Sequence, residues 1–400
     1  MAYREEKDRQ DEQVQGRQED GLHGDGLSGA DAAGTTSGDP EIPSGTRLRA
    51  LAAALRAGRP LLCVIVDTEE EFDWSRPLSR ANRSVTAVPA QARAQAVFAR
   101  FGVVPTYAVT YPVAQDPEAA GFLRGELEAG RCRIGAHLHP WVTPPETETV
   151  TPYTSYAGNL PADLERRKLA RLTTAITAAF GQRPRVFKAG RYGLGPNTPA
   201  TLDALGYTVD TSIVPYTSFA ADGGPDFRAA TPVPARLPGS RGVLSLPLSV
   251  GFAGLLRRLG PRLQGPVFAP AALRWRVPGV LARSGLLERI RLSPEGARFR
   301  DHKRLTRALR AQGVQVFSYS YHSPSLAPGH TPYVRDARDL AAFLDDLSRY
   351  LAFFREDLAG LAATPAELHG LWRAGLLPAA GPAPAVPAPL ARPRSAARIP

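Results

Sequence analysis

Leu61-Leu62-Cys63-Val64-Ile65-Val66 is an unbroken apolar run, and it leads straight into Asp67-Thr68-Glu69-Glu70-Glu71-Phe72-Asp73-Trp74. A strand with one wet face alternates apolar and polar residues. A continuous run of this length and β-branched content reads as a strand covered on both faces, as in a parallel sheet. The charged residues that follow stand at the strand's C-terminal end, where parallel α/β folds carry their chemistry. No Gly-x-Gly-x-x-Gly opens the next helix, which argues against a dinucleotide-binding sheet.

Working outward, the same unit repeats. A helix is expected from about Pro89 to Gly102, with proline in its first turn and glycine past its end. A strand follows over 103–109. Asp116-Pro117 opens a helix that Gly130 ends. Cys132-Arg133-Ile134 begins a strand that runs into Gly135-Ala136-His137-Leu138-His139-Pro140-Trp141. Beyond a Thr/Pro-rich loop over 142–160, Leu169, Leu172, Ile176 and Phe180 mark one stripe of a helix that starts at Pro161. Arg185-Val186-Phe187 is the next strand, then a helix from Thr198 to Gly206 and a strand over 207–210. A helix over 297–313, a strand over 314–321 ending on His322, and a final helix over 336–354 complete the series. Five or more strand–helix units predict a parallel α/β fold. Its strand ends carry Asp67 and Glu69, His137 and His139, Arg191, Asp210 and His322.

The 400 residues have a formal net charge of +11, unevenly placed. Residues 1–45 hold four basic and eleven acidic side chains, a net of −7, which leaves +18 on the rest. That acidic, Gly/Ser-rich stretch, with His23 in it, is expected to be a disordered tail. The folded domain is expected over 46–360, and 361–400 as a short helix with a Pro/Ala-rich tail. Within the domain, a basic, amphipathic insertion over about 251–291 breaks the rhythm. It is read as a helical cover over the barrel, with peripheral contact to an anionic membrane or glycan as the other reading. Cys63 and Cys132, the only cysteines, are expected as small buried hydrophobes. No signal-like segment or bilayer-length apolar run is seen, so the expected location is the cytoplasm. Nothing points to a nucleic-acid partner, and the oligomeric state stays open.

His137 and His139 lie two apart on one strand, so both imidazoles point to the same side and reach one ion. With a carboxylate they supply the three ligands of a hydrolytic metal site. A second carboxylate there serves as a base, and a separate histidine as an acid. Asp67, Glu69 and His322 supply those parts. The blander readings are a helix-cap cluster at Asp67-Thr68-Glu69 and a solvated loop for Glu70, Glu71 and Asp73. Trp74 and Trp141 are read as either core or substrate wall, His302 and His369 as surface residues, and His330 as a turn residue.

These motifs resemble the polysaccharide deacetylases with a NodB-like domain, carbohydrate esterase family 4, in its divergent WalW-type branch. The resemblance rests on 66–74, 135–141, Gly190-Arg191-Tyr192-Gly193, Leu292-Ser293-Pro294-Glu295-Gly296 and Tyr321-His322-Ser323-Pro324-Ser325-Leu326, with Thr331-Pro332-Tyr333-Val334. It implies a distorted (β/α)7 barrel, a divalent metal that is usually zinc, and removal of an acyl group from an N-acylated sugar. It also implies roles: Asp67 as base, Glu69, His137 and His139 as ligands, and His322 as acid. Asp210 matches an acid that orients or tunes its neighbours. Lys188 or Arg191 fills the place of a groove-flanking arginine, and Arg191 is preferred because it directly precedes Tyr192-Gly193. The alternatives are a hydrolase for a small non-sugar amide and a non-catalytic glycan- or metal-binding protein.

Overall fold

The computed structural model describes residues 43–377, so of the tails expected over 1–45 and within 361–400, residues 1–42 and 378–400 lie outside the described residues. The strands are β1 (Leu61–Thr68), β2 (Thr106–Val109), β3 (Arg133–Leu138), β4 (Val186–Ala189), β5 (Val209–Asp210), β6 (Ala235–Arg236), β7 (Leu244–Ser245), β8 (Val250–Ala253), β9 (Glu288–Arg291), β10 (Val316–His322) and β11 (Leu361–Ala362). The helices are α1 (Gly45–Arg56), α2 (Ala92–Phe101), α3 (Tyr111–Gln115), α4 (Pro117–Glu128), α5 (Ala162–Phe180), α6 (Thr198–Ala204), α7 (Gly260–Val267), α8 (Pro270–Arg274), α9 (Val277–Arg283), α10 (Phe299–Arg310), α11 (Ala337–Ala352) and α12 (Pro365–Arg373).

The main sheet runs β10-β1-β2-β3-β4-β5-β7-β6. Every pairing from β10 to β7 is parallel, and only β6 at the edge is antiparallel. β1 is buried along its whole length, as an unbroken apolar run requires. The sheet curls, and single backbone contacts rather than a ladder bridge the gap between β7 and β10. Just beyond β7, Ser249 N–H donates to Ser318 O of β10, and Ser320 N–H of β10 donates to Leu292 O just beyond β9. This is the distorted α/β barrel expected from the motifs.

Local signals explain the helices. Asp116 Oδ1 accepts from Ala119 N–H at 2.8 Å and caps α4, with Pro117 just inside. Gly181 ends α5 in the left-handed region at φ +71°. Leu169, Leu172, Ile176 and Phe180 are all buried. Fully burying one such side chain stabilises by about 1.5–3 kcal/mol. The body continues past 360: β11 pairs with the start of β1, and Leu368 and Leu371 of α12 join Leu51 and Leu55 of α1 in one apolar cluster.

The insertion is framed by the antiparallel pair β8–β9 and holds α7, α8 and α9. A small apolar cluster anchors it, in which Leu256, Leu263, Val267, Phe268 and Leu281 pack on Tyr216, Phe252 and Leu287. Arg289 lies over the Phe268 ring at 4.0 Å. Among the described residues, no helix is long and apolar enough to cross a membrane.

Candidate active site

The C-terminal ends of β1, β3, β4 and β10 meet because those strands are neighbours or face one another across the curl. β3 delivers two imidazoles to one point. His137 Nε2 stands 3.2 Å from Glu69 Oε2, and His139 Nε2 stands 3.4 Å from the same oxygen. The far nitrogens are already engaged: His137 Nδ1 lies 3.2 Å from the Lys188 carbonyl, and His139 Nδ1 lies 2.7 Å from Glu70 Oε1. That pattern directs both Nε2 atoms inward, as a carbonyl or carboxylate behind a metal-bound histidine does. All three groups are almost fully buried, and Glu69 Oε1 has no hydrogen-bond partner. Their donor atoms lie within 4.8 Å of one another. Two imidazole nitrogens and a carboxylate with an oxygen to spare fit a divalent cation. Gly190 keeps the site open: a Cβ there would stand 2.4 Å from His139 Cδ2. Trp141 closes it from behind, stacked on His139 at 4.1 Å.

Beside this cluster lies a second constellation. The β1–β10 register puts Asp67 opposite His322, and their side chains approach to 3.7 Å. Lys188 reaches across from β4, and its Nζ donates to Asp67 Oδ1 at 2.5 Å and to Ser320 Oγ at 3.0 Å. Burial pushes the Asp67 carboxyl up, but Lys188, His137 and His322 outweigh it and hold the group below the usual carboxylate range. Asp67 is therefore an anchored carboxylate with its ionised form favoured. His322 Nδ1 lies 2.7 Å from Glu295 Oε2, and its backbone N–H donates to Glu295 Oε1 at 3.0 Å. Ser325 Oγ donates to the same oxygen at 2.6 Å. Burial alone would lower the His322 pKa. The charges of Glu295 and Glu69 overcome that and raise it well above the ordinary value, so the ring is a proton donor at neutral pH.

Both constellations open into a cleft of about 560 Å³. Its walls include Phe72, Trp74, Tyr156, Tyr192, Phe219 and Tyr333. Trp74 stands edge-on to His322 at 5.2 Å and to Tyr333 at 5.8 Å. Trp141 also lines the cleft, although its side chain is buried. Arg291 lines it too, near the Tyr192 hydroxyl at 3.4 Å.

Several residues sit differently from the sequence reading. Arg191 is a rim residue: it pairs with Asp222 at 3.1 Å, donates to Ser155 Oγ at 2.6 Å and lies over Tyr156. The cation on Asp67 is Lys188. The reason is local: Lys188 is still on β4 and points inward, whereas Arg191 has left the strand and takes a left-handed φ of +54°. Asp210 does not line the cleft. It accepts from Ser212 Oγ at 2.6 Å, and burial lifts its pKa to about 7. The carboxylate on His322 is Glu295, from the Ser-Pro-Glu-Gly turn that sequence reading had singled out without giving it a role. Glu70 is not a solvated loop residue but is fully buried on His139. His302 is buried rather than on the surface, with Nε2 2.7 Å from Ser293 O, so it braces that turn. Of the insertion over 251–291, Arg291 at the end of β9 lines the cleft, whereas no residue of α7, α8 or α9 does. Cys63 and Cys132 are buried free thiols, as expected.

With this geometry in hand, the chain can be set beside known proteins. No protein-family model matches the sequence, and no curated protein matches it. Solved structures do. A candidate glycoside hydrolase/deacetylase from Parabacteroides distasonis is similar at a TM-score of 0.51 and 12% identity, over 79% of this chain and 72% of that one. The chain has a NodB-like fold. The chain is also similar to a candidate polysaccharide deacetylase from Mycobacterium smegmatis, at a TM-score of 0.45 and 18% identity, over 84% of this chain and 95% of that one. A CE4-family pseudoenzyme from Bacillus anthracis is similar at a TM-score of 0.38 and 10% identity, over 78% and 66% of the two chains.

Proposed function

We propose that this NodB-like domain is a metal-dependent hydrolase that removes an acetyl group from an N-acetylated sugar of a glycan. The observation that carries the reading is the joining of two sets of groups at one cleft. Glu69, His137 and His139 converge as a ligand set, while Asp67 and His322 stand 3.7 Å apart beside them. Glu69, His137 and His139 would hold the ion, zinc by the chemistry of its donors, which polarises the amide carbonyl and makes water a better nucleophile.

The chain's own residues supply the proton transfers. Asp67, ionised and fixed by Lys188, takes a proton from the water that adds to the carbonyl carbon. His322, held by Glu295, gives its proton to the amine nitrogen as the C–N bond breaks. Acetate and a free amino sugar leave. The aromatic walls favour a sugar over a small linear amide, because flat rings match the apolar faces of pyranoses. The buried free thiols fit a cytoplasmic location.

The test is turnover of N-acetylglucosamine oligomers against a panel of small N-acyl amides, with zinc-loaded wild type, Asp67→Asn and His139→Ala. Deacetylation of the oligomers by wild type, lost in both variants, supports the reading. Turnover of the small amides alone would shift the substrate class. Zinc binding without turnover of any N-acyl compound would make this a binding protein.

A further inference from the structure

The insertion carries two sets of apolar side chains, and the body of the protein covers only one. The covered set packs on Tyr216, Phe252 and Leu287. A second set is uncovered: Leu255 and Trp275 are each 78% exposed, and Leu273, Val280 and Leu259 are exposed as well. Outside this segment, the other large exposed apolar side chains among the described residues are Trp74 and Tyr333 of the cleft and Leu376. Five apolar side chains gathered on one segment are more than the scatter ordinary for a soluble surface.

The same segment is strongly and singly charged. Between Asp226 and Glu288 the chain has nine arginines and no acidic residue. Arg258, Arg262, Arg274, Arg276 and Arg283 are exposed, and none of them has a carboxylate within 4.0 Å among the described residues. Arg274 and Arg276 flank Trp275 directly.

We propose that residues 255–283 form a docking surface for an anionic lipid bilayer. A charged polymer such as an acidic glycan would meet the guanidinium groups but would have no use for exposed leucine and valine. A second copy of this chain, packed face to face, would bring two uncompensated cationic patches together. A bilayer of acidic lipids satisfies both features at once. Leu255, Leu273, Trp275 and Val280 enter the interface, where tryptophan is favoured, and the arginines meet the headgroups. No helix among the described residues is of spanning character, so the contact is peripheral.

The experiment is co-sedimentation of the full chain with vesicles, either phosphatidylcholine alone or an equimolar mixture with phosphatidylglycerol, over a range of salt. Wild type is expected to pellet with the mixed vesicles, less so as salt rises, and to stay in solution with phosphatidylcholine alone. Two variants separate the contributions: Leu273→Ser with Trp275→Ser removes apolar surface, and Arg274→Gln with Arg276→Gln removes charge. Each should lower the partition coefficient by about tenfold or more. Because all four side chains are exposed, the melting temperature should not move, and it serves as the check on folding. The proposal is overturned if wild type ignores the mixed vesicles or binds both kinds equally. It is also overturned if the Leu273→Ser/Trp275→Ser variant binds dextran sulfate and mixed vesicles as wild type does, which is a pure charge effect. Dimerisation that this variant abolishes, without vesicle binding by wild type, assigns the patch to a second copy instead.

Discussion

His139 and His322 are both held at Nδ1 by a carboxylate at 2.7 Å, yet the two rings are set up for different work. His139 is sealed in, with Trp141 stacked on one side and Glu69 and His137 at its Nε2. His322 borders the cleft, its side chain 16% exposed against 2% for His139, and its Nε2 faces Asp67. A carboxylate behind an imidazole raises its basicity in both places. What the free nitrogen meets separates the proposed roles: beside another imidazole and a spare carboxylate oxygen it suits a ligand, and beside an open cleft and an anchored carboxylate it suits a proton donor.

The variant that breaks this contrast most sharply is His139→Ala. It should abolish tight zinc binding, seen by equilibrium dialysis and metal analysis, whereas His322→Ala should keep the metal and lose turnover. Equal zinc affinity in wild type and His139→Ala would remove the ligand assignment. Asp67→Asn should lower kcat by about 10²–10⁴-fold while zinc stays bound. Lys188→Met should weaken the same step by freeing Asp67 and raising its pKa, so the acid limb of the pH–rate profile should move to higher pH.

Glu295→Gln and Glu70→Gln sharpen the comparison, because they alter equivalent supports. Glu70→Gln should cost about 10–100-fold in metal affinity. Glu295→Gln should leave metal affinity unchanged and act on the pH profile. The His322 pKa is raised, so its acid form is lost as pH rises through that value. Without Glu295 the basic limb should move to lower pH. If Asp210→Asn moved that limb and Glu295→Gln did not, Asp210 would be the acid that tunes His322.

The smallest effect on turnover is expected from Asp210→Asn itself, since Asp210 touches Ser212 and not the cleft. Its signature is in stability. The folded pKa, about 7, lies above the unfolded value near 3.8. The folded state therefore binds the proton more tightly, and stability should fall as pH rises from the unfolded value to the folded one. The loss is on the order of 4 kcal/mol, and Asp210→Asn should flatten it. Chemical denaturation at several pH values measures the slope.

Much of the site was legible along the chain. Asp67, Glu69, His137, His139 and His322 stand at strand ends, and strand ends are marked locally by apolar runs, proline and glycine. Glu70 was misread as a solvated loop residue, and Lys188 rather than Arg191 meets Asp67, because a residue or two beyond a strand end the backbone path determines where a side chain points. Glu295 lay in a quoted motif, but nothing in its neighbourhood in sequence names a partner 27 residues away.

By itself, the sequence determined the elements, their parallel arrangement and the set of groups able to bind metal and move protons. Hydrophobic period, capping and turn residues act over a few residues, and that is enough for those conclusions. Tertiary structure alone decided which cation anchors Asp67, which carboxylate holds each histidine, and that the insertion reaches the cleft through Arg291 and not through its helices. Those outcomes depend on register, curl and side-chain reach between segments far apart in the chain. The run 61–69 that pointed to a parallel sheet ends in Asp67 and Glu69, the proposed base and ligand, and their partners come from three other strands.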